Sequence, residues 1–411
     1  MFLMCLCVEK ATYNMQLTEV KTEQQAKDFI AVNVVVNKKD PNYIRPLDKD
    51  INEVFDEKKN KAFRFGKIIR WILKNDAGEF IGRIAAFTNK KYRNKNDDVP
   101  VGGIGFFDCI NDQAAANLLF DTAKEWLQQQ GMQAMDGPIN FGERDRWWGL
   151  LVKGFTPPLY CINYNQPYYQ QLFEAYGFKG FYNQVCFSLK VGEKLQQKFY
   201  DRHKELAKDP NYSSAHIKKD QLEKFANDFT IIYNKAWAGH GGMKEMDKKV
   251  VLKLFQTMKP VMDEKISWFI YYKNDPIAMW LNLPDLNQWF KHLDGKFDLF
   301  HKLKFLWLKA TKKNNKFTGL AFGVVPEFQA KGVDSYMIME GARFVQGQVI
   351  KDSEYVPGIP LYNDYEMQWI GEFNPKMINI AENLGTYRSR ILTTYRYLFD
   401  RNKEFKAHPI L

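Results

Sequence analysis

The chain has 411 residues, 45% hydrophobic and 15% aromatic, which excludes a disordered protein and points to two or three domains at roughly 150 residues each. Its longest apolar runs, 29–36 and 104–107, fall well short of the ~20 residues that a membrane span needs. The net charge of +11 leaves open a nucleic acid, a membrane surface or a polyanionic cofactor, and the lack of any helix-turn-helix, zinc-finger, RNP or KH pattern argues against nucleic acid.

Residues 1–14 read as an N-terminal extension without the basic start or small-residue cleavage site of a secretory signal. A strand over 15–20 follows, then helices over 23–36 and 51–59. Strands over 67–74 and 79–88 flank the turn Asn75-Asp76-Ala77-Gly78, and a further strand covers 101–110. Ala115, Leu118, Leu119, Ala123, Trp126 and Leu127 recur at helical spacing over 113–130, and Gly131 stops that helix. A short strand at 134–140, a helix at 168–176 ending at Gly177, and a strand at 178–189 complete the first half. Residues 193–215 are polar and charged, as a helical linker would be.

The same order then restarts. Helices cover 221–238 and 248–260, and strands cover 265–273 and 277–283 around the turn Asn274-Asp275-Pro276. An insertion spans 284–316. A strand at 317–325, a helix at 335–345, a strand at 365–373, a helix at 376–384 stopped by Gly385, and a strand at 387–399 follow. The matching turns and the paired segments 172–178 and 381–386 make a weak repeat with a period near 200 residues, which means tandem domains at 15–192 and 216–411.

Five cysteines, three of them (Cys109, Cys161, Cys186) inside strand-like runs, read as reduced core thiols of a cytoplasmic protein. The six histidines form no metal-binding spacing, so no metal is expected.

The segment from Leu320 to Ser335 carries the most chemistry. A buried strand ends at Val325, Pro326 breaks it, and a helix begins a few residues later. Successive backbone N–H groups at such a turn, with the positive end of the helix, make an anion site. Gly332 lets the backbone approach phosphate oxygens and Lys331 adds a cation. This stretch resembles the phosphate loop of the GNAT superfamily of acyl-CoA-dependent N-acyltransferases, Gln/Arg-x-x-Gly-x-Gly/Ala. Here it is Gln329-x-x-Gly332-x-Asp334, with an acid in place of a small residue; a carboxylate there suits a helix N-cap and repels phosphate. Downstream, Asn374 precedes a helix ending Ala381-Glu382-Asn383-Leu384-Gly385-Thr386, similar to the family's Asn and Tyr-Glu-Lys-Leu-Gly-Phe, with the family's acid Tyr falling on Ala381. In the first half Asn165 and Leu172–Phe178 occupy the same places, while 108–115 lacks the loop and carries Asp108 and Asp112.

The resemblance implies an α/β (α+β) fold: two tandem GNAT-like domains, each a mixed, mostly antiparallel sheet flanked by helices, with the first copy degenerate. It implies acetyl-CoA or another acyl-CoA at Val324, Val325, Gln329, Ala330, Lys331, Gly332, Val333, Asp334, Ser335 and Asn374, with the thioester where the fourth and fifth strands splay apart. Polar groups on the fifth strand are then candidate catalysts. Glu372 and Glu366, six apart and so on one face of a regular strand, are candidate general bases or else surface carboxylates. Tyr362, Tyr365 and Tyr395 are candidates for the missing acid. Trp237 and His240 border the expected acceptor entrance. The loop 136–149, dense in Gly, Arg and Trp, clamps an anionic substrate through Arg144 and Trp147 or simply packs.

Within the insertion, Leu299, Phe300, Leu303, Leu306, Trp307 and Ala310 fall on one helical face, with Lys302, Lys309, Lys312 and Lys313 off it. Such a basic amphipathic helix either lies on anionic lipid or covers a sheet edge. The functional expectation is an acyl-CoA-dependent N-acyltransferase acting on the primary amine of a small-molecule or lipid-like acceptor. Two alternatives stay open: a non-catalytic regulatory protein on the same scaffold, and a membrane-surface acyltransferase touching lipid through 297–313.

Overall fold

The computed structural model describes residues 14–237, 245–351, 354–356 and 358–410. In chain order the first part forms β1 (Gln16–Glu19), α1 (Glu23–Asn37), α2 (Asp48–Val54), β2 (Gly66–Lys74), β3 (Phe80–Asn89), β4 (Val101–Cys109), α3 (Gln113–Gln129), β5 (Ala134–Gly137), β6 (Leu150–Lys153), α4 (Tyr169–Tyr176) and β7 (Lys179–Lys190). The rest forms α5 (Gln197–Leu206), β8 (Tyr212–His216), α6 (Leu222–Ala236), α7 (Lys248–Met258), β9 (Trp268–Tyr272), β10 (Asp275–Pro284), α8 (Asn287–Phe290), α9 (Leu299–Thr311), β11 (Lys316–Val324) and α10 (Val333–Val345). It closes with β12 (Val349–Lys351), β13 (Glu354–Val356), β14 (Asp364–Met367), β15 (Ile370–Gly371), α11 (Pro375–Asn383) and β16 (Tyr387–Leu398).

Contacts divide the chain into two compact units. The first runs to Asn183 and resumes over Leu392–Pro409; the second is Gln184–Ile391. The long strands β7 and β16 therefore each contribute to both units, a division that composition does not reveal. In the first unit β1 to β4 pair antiparallel in succession, β5 joins β4 in parallel, and Tyr395–Leu398 pair antiparallel with β5. Helix α3 buries Ala115, Leu119, Phe120, Ala123 and Leu127, the face that its spacing predicts. Phe107, Phe120, Phe173 and Phe178 interlock above it at ring distances of 4.7–5.2 Å.

The second unit repeats the plan. Strands β8, β9, β10 and β11 pair antiparallel, and β14 joins β11 in parallel. The end of β7 pairs antiparallel with β14. Two expectations are corrected here. Residues 193–215 are not a linker: α5 buries Phe199, Tyr200, His203 and Leu206, and packs on Ile338 and Met339 of α10. Those positions recur as i, i+1, i+4 and i+7, a one-sided helix hidden among polar residues. The strand expected over 365–373 is broken into β14 and β15. From Glu366 to Ile370 the chain takes four steps, while its partner β7 takes three, from Ser188 to Val185. One extra residue bulges out and reverses the face parity beyond it.

Candidate functional site

Strands β11 and β14 run in register only from Lys316↔Asp364 to Gly319↔Met367, with one more bond from the Gln368 N–H to the Gly319 carbonyl at 3.0 Å. Beyond that point they part. Among the described residues nothing pairs with β11 on this side, although its other edge stays bonded to β10 as far as Val324. An unpaired strand edge inside a domain is a template for an extended ligand. Two buried polar atoms without protein partners, Thr318 Oγ1 and Gln368 Oε1, lie where the strands separate. Neither was singled out from sequence, because a Thr and a Gln carry no motif.

The free half of β11 leads into a 3-10 turn (Pro326–Phe328) and then into α10. The helix starts at Gly332, whose φ of 82° is left-handed, and no side chain caps it. Asp334, expected to serve as the N-cap, instead occupies the second helical position. Ala330 is also left-handed, at φ 59°. Gln329 folds its amide back onto the Val324 carbonyl at 3.1 Å. Lys331 is exposed, its ammonium 5.3 Å from the Phe328 ring centre.

Helix α5 brings Arg202, which the motif does not contain, beside this turn, with its guanidinium paired to Glu205 at 2.9 Å. Glu340 of α10 accepts from His203 at 2.7 Å and pairs with Ser214 and Arg343. Burial pushes its carboxyl up, but the bonds from His203 and Ser214 outweigh burial and hold it below the usual range. This clamp sets α5 beside the helix start, where a methyl on Gly332 would lie 3.4 Å from Cδ of Arg202. An uncapped helix start, a left-handed glycine and the exposed Lys331 fit a pyrophosphate.

The equivalent place in the first unit is closed. Asp112 is the N-cap of α3 and accepts from the Ala115 N–H at 3.0 Å. The gap beyond β4 and β5 is filled by the chain itself: Ile139 donates to the Ile104 carbonyl at 2.7 Å. A methyl on Gly105 would meet the Ile139 carbonyl oxygen at 2.1 Å. Asp108 is buried under Arg83, Asn33, Asn37 and Tyr169.

No family model matches the chain. A bacterial ceramide synthase of Caulobacter vibrioides is 27% identical over 394 residues, spanning 91% of this chain and 96% of the relative. Protein YghO of Escherichia coli is 25% identical over 369 residues, spanning 87% and 89%. Among solved structures, a tandem GNAT protein from the clavulanic acid biosynthesis pathway superposes with a TM-score of 0.52 at 10% identity, covering 95% of this chain and all of that one. A GCN5-related glucosamine N-acetyltransferase region of a fungal multi-domain β-N-acetylglucosaminidase superposes at 0.51 and 12% identity, covering 94% of this chain and 38% of that one. The chain has the tandem GNAT fold.

Within that fold the expected catalytic residues separate. Glu366 is 1% exposed and bonded to Arg390 Nε at 2.7 Å, to Ser389 at 3.1 Å and to Lys316. Burial raises its carboxyl, but Arg390 and Lys316 outweigh burial and keep it ionised, below the usual carboxylate range. A carboxylate spent on the buried Arg390 and the half-buried Lys316 is a poor proton acceptor. Tyr365 is core: its hydroxyl accepts from Trp280 Nε1 at 3.1 Å, its ring lies 4.7 Å from Phe317, and burial pushes its phenol well up. Glu372, by contrast, is exposed in the turn between β15 and α11. The bulge at 367–369 removes the shared face expected for the two glutamates.

Asn374 caps α11, accepting from the Met377 N–H at 3.2 Å. Ala381 is buried with Val185, Phe187 and Ile378. Tyr362 donates to Asp263 at 2.7 Å, and Tyr395 donates to Glu174 at 2.9 Å in the first unit. Of the expected acceptor residues, Trp237 ends α6 and lays its ring over Gly323 of β11, 2.5 Å from where a methyl would stand. His240 lies outside the described residues. Arg144 and Trp147 belong to the first unit. Trp147 is buried against Phe106 at 5.6 Å, and Arg144 stacks over Tyr92 and Trp148 at 5.7 and 5.3 Å. The packing alternative describes Trp147, and Arg144 is stacked onto the same aromatic group.

Proposed function

We propose that the chain is an N-acyltransferase whose second unit holds an acyl-CoA and whose acceptor is the primary amine of a lipid-like molecule. The observation that carries this reading is the unpaired edge of β11 running directly into the uncapped, left-handed start of α10. The N–H groups of Val333, Asp334 and Ser335, with Lys331, bind the pyrophosphate. The backbone of 320–324 pairs with the extended arm of the cofactor, and the Trp237–Gly323 contact walls the site. The bound thioester supplies the activated carbonyl. Glu372, the solvent-facing member of the catalytic candidates, removes the proton of the acceptor ammonium, directly or through water. A lipid-like acceptor is favoured by the relative named bacterial ceramide synthase, since ceramide is an N-acylated long-chain amino alcohol.

Calorimetric titration with acetyl-CoA and with a long-chain acyl-CoA tests this. Saturable binding of at least one is expected, weakened tenfold or more in Gly332→Val, because a side chain at φ 82° strains the turn and blocks backbone approach. A folded wild-type protein that binds neither thioester refutes the reading.

A further inference from the structure

Helix α9 is two-faced, and its outward face is apolar. Phe305 and Leu308 are buried, with Phe305 packed on Trp289, Phe290 and Phe297. At 100° per residue these two point away from Leu299, Phe300, Leu303, Leu306 and Trp307, which share an arc of about 120°. Those five are 75%, 69%, 60%, 53% and 59% exposed. The sheet-edge alternative fails for this face, because the helix already covers its neighbours with the opposite side. Five large apolar side chains in one stripe make an exposed patch, not the scattered singles of an ordinary surface.

The charge around the stripe is of one sign. Lys302, Lys309, Lys312 and Lys313 flank it, and no acid occurs between Leu299 and Lys316. Lys309 bonds to the Pro260 carbonyl and Lys304 to the His292 carbonyl at 2.6 Å, which ties the helix to α7's exit and to the insertion. Lys302, Lys312 and Lys313 are exposed. A second copy docking through a two-fold axis would set lysines against lysines, whereas an anionic leaflet complements them. The helix is 13 residues long, and no described helix is long and apolar enough to cross a membrane.

We propose that α9 is an interfacial anchor that lies in the headgroup region of an anionic membrane, with Leu299, Phe300, Leu303, Leu306 and Trp307 immersed and Lys302, Lys312 and Lys313 on phosphates. It deepens the acyltransferase reading by assigning the source of the acceptor, the bilayer surface, and rests on that reading for this consequence alone.

Co-sedimentation of the full chain with phosphatidylglycerol–phosphatidylcholine vesicles and with pure phosphatidylcholine vesicles tests it. Two variants are compared, Leu303→Ser/Leu306→Ser/Trp307→Ser and Lys302→Glu/Lys312→Glu/Lys313→Glu. All six side chains are exposed, so both variants keep the fold. Wild type partitions to the mixed vesicles and is released by salt. The serine variant partitions at least about tenfold more weakly, and the charge variant loses about fivefold per lysine. Both retain wild-type calorimetric binding of acyl-CoA. Equal partitioning of wild type and the serine variant overturns the proposal. So does a wild-type dimer, seen by light scattering, that the serine variant dissociates while vesicles bind neither protein. Vesicle binding by a protein that binds no thioester leaves the anchor standing and sinks the acyltransferase reading; thioester binding without vesicle binding does the reverse.

Discussion

Replacing Glu366 by Gln separates a structural carboxylate from a catalytic one. The side chain is 1% exposed, its main partner Arg390 is equally buried, and Lys316 closes the other oxygen. Gln keeps the shape but removes the carboxylate charge that both cations contact, which costs about 3–5 kcal/mol for a buried pair. In a unit of about 200 residues each kcal/mol moves the melting point by roughly 2–4 °C, so E366Q should melt roughly 6–20 °C lower. The pH dependence has a definite sign. Burial raises the carboxyl, and Arg390 and Lys316 lower it further than burial raises it. A depressed carboxyl gives stability above its unfolded pKa and loses it as pH falls through the folded one. The E366Q deficit is therefore full at pH 7 and shrinks below about pH 4. Scanning calorimetry at both pH values measures it, with acyl-CoA binding followed well below the melt. If E366Q melts within about 2 °C of wild type yet loses acyl transfer, the structural argument is wrong and Glu366 returns as the base.

Asp285 has the opposite sign. Burial pushes its carboxyl up to about 6 against Lys316, which lowers it, so its ionisation costs stability above pH 6 and none below about pH 4. Asp285→Asn keeps the bond from the Asn287 N–H and should raise stability by roughly 3 kcal/mol at pH 8 but not at pH 4; equal melting shifts at both pH values refute this. Asp112→Ala removes the cap of α3 and should cost about 1 kcal/mol while leaving acyl-CoA affinity unchanged, since the first unit's helix start serves its own side chain; a change in affinity by calorimetry contradicts the assignment of the cofactor to the second unit.

Much of the fold was legible because the periodicities are strong. The apolar face of α3, the turn at 75–78 and the strand-to-helix passage at 320–335 follow from local pattern, while the turn expected over 274–276 falls at 273–274, with Asp275 and Pro276 already in β10. The break between β14 and β15 was not. Tyr365-Glu-Met-Gln-Trp-Ile370 favours strand throughout, and the bulge arises from pairing with β7, whose residues lie 178 to 185 positions earlier. The same non-local cause misplaced the face of Glu372 relative to Glu366. It also hid the shared strands β7 and β16. Arg202 was missed for another reason: its place beside Gly332 depends on His203 gripping Glu340, a contact between helices far apart in sequence. The outward face of α9 was legible as a stripe, but its direction was not. Only the burial of Phe305 and Leu308 decides which side faces water.

Asp334 is the residue on which the cofactor reading presses hardest. It stands in the first turn of α10, where an acid favours the helix dipole by about 0.3–1 kcal/mol and repels a phosphate bound at the same N–H groups. Gly332 provides no side-chain cap, so without a ligand the carboxylate is the group that offsets the positive helix end. These two roles predict opposite effects from one change. Asp334→Ala should lower the melting point of the free protein by roughly 1–3 °C, from a loss of under 1 kcal/mol. It should also tighten acyl-CoA binding by up to about fivefold, because 1.4 kcal/mol is tenfold and the repulsion removed is of the same order as the dipole term. The melting difference between variant and wild type should then reverse at saturating acyl-CoA, since a ligand stabilises in proportion to its affinity. Weaker binding in D334A would show that the carboxylate supports the loop, not that it opposes the ligand, and the pyrophosphate would have to sit away from the first turn of α10.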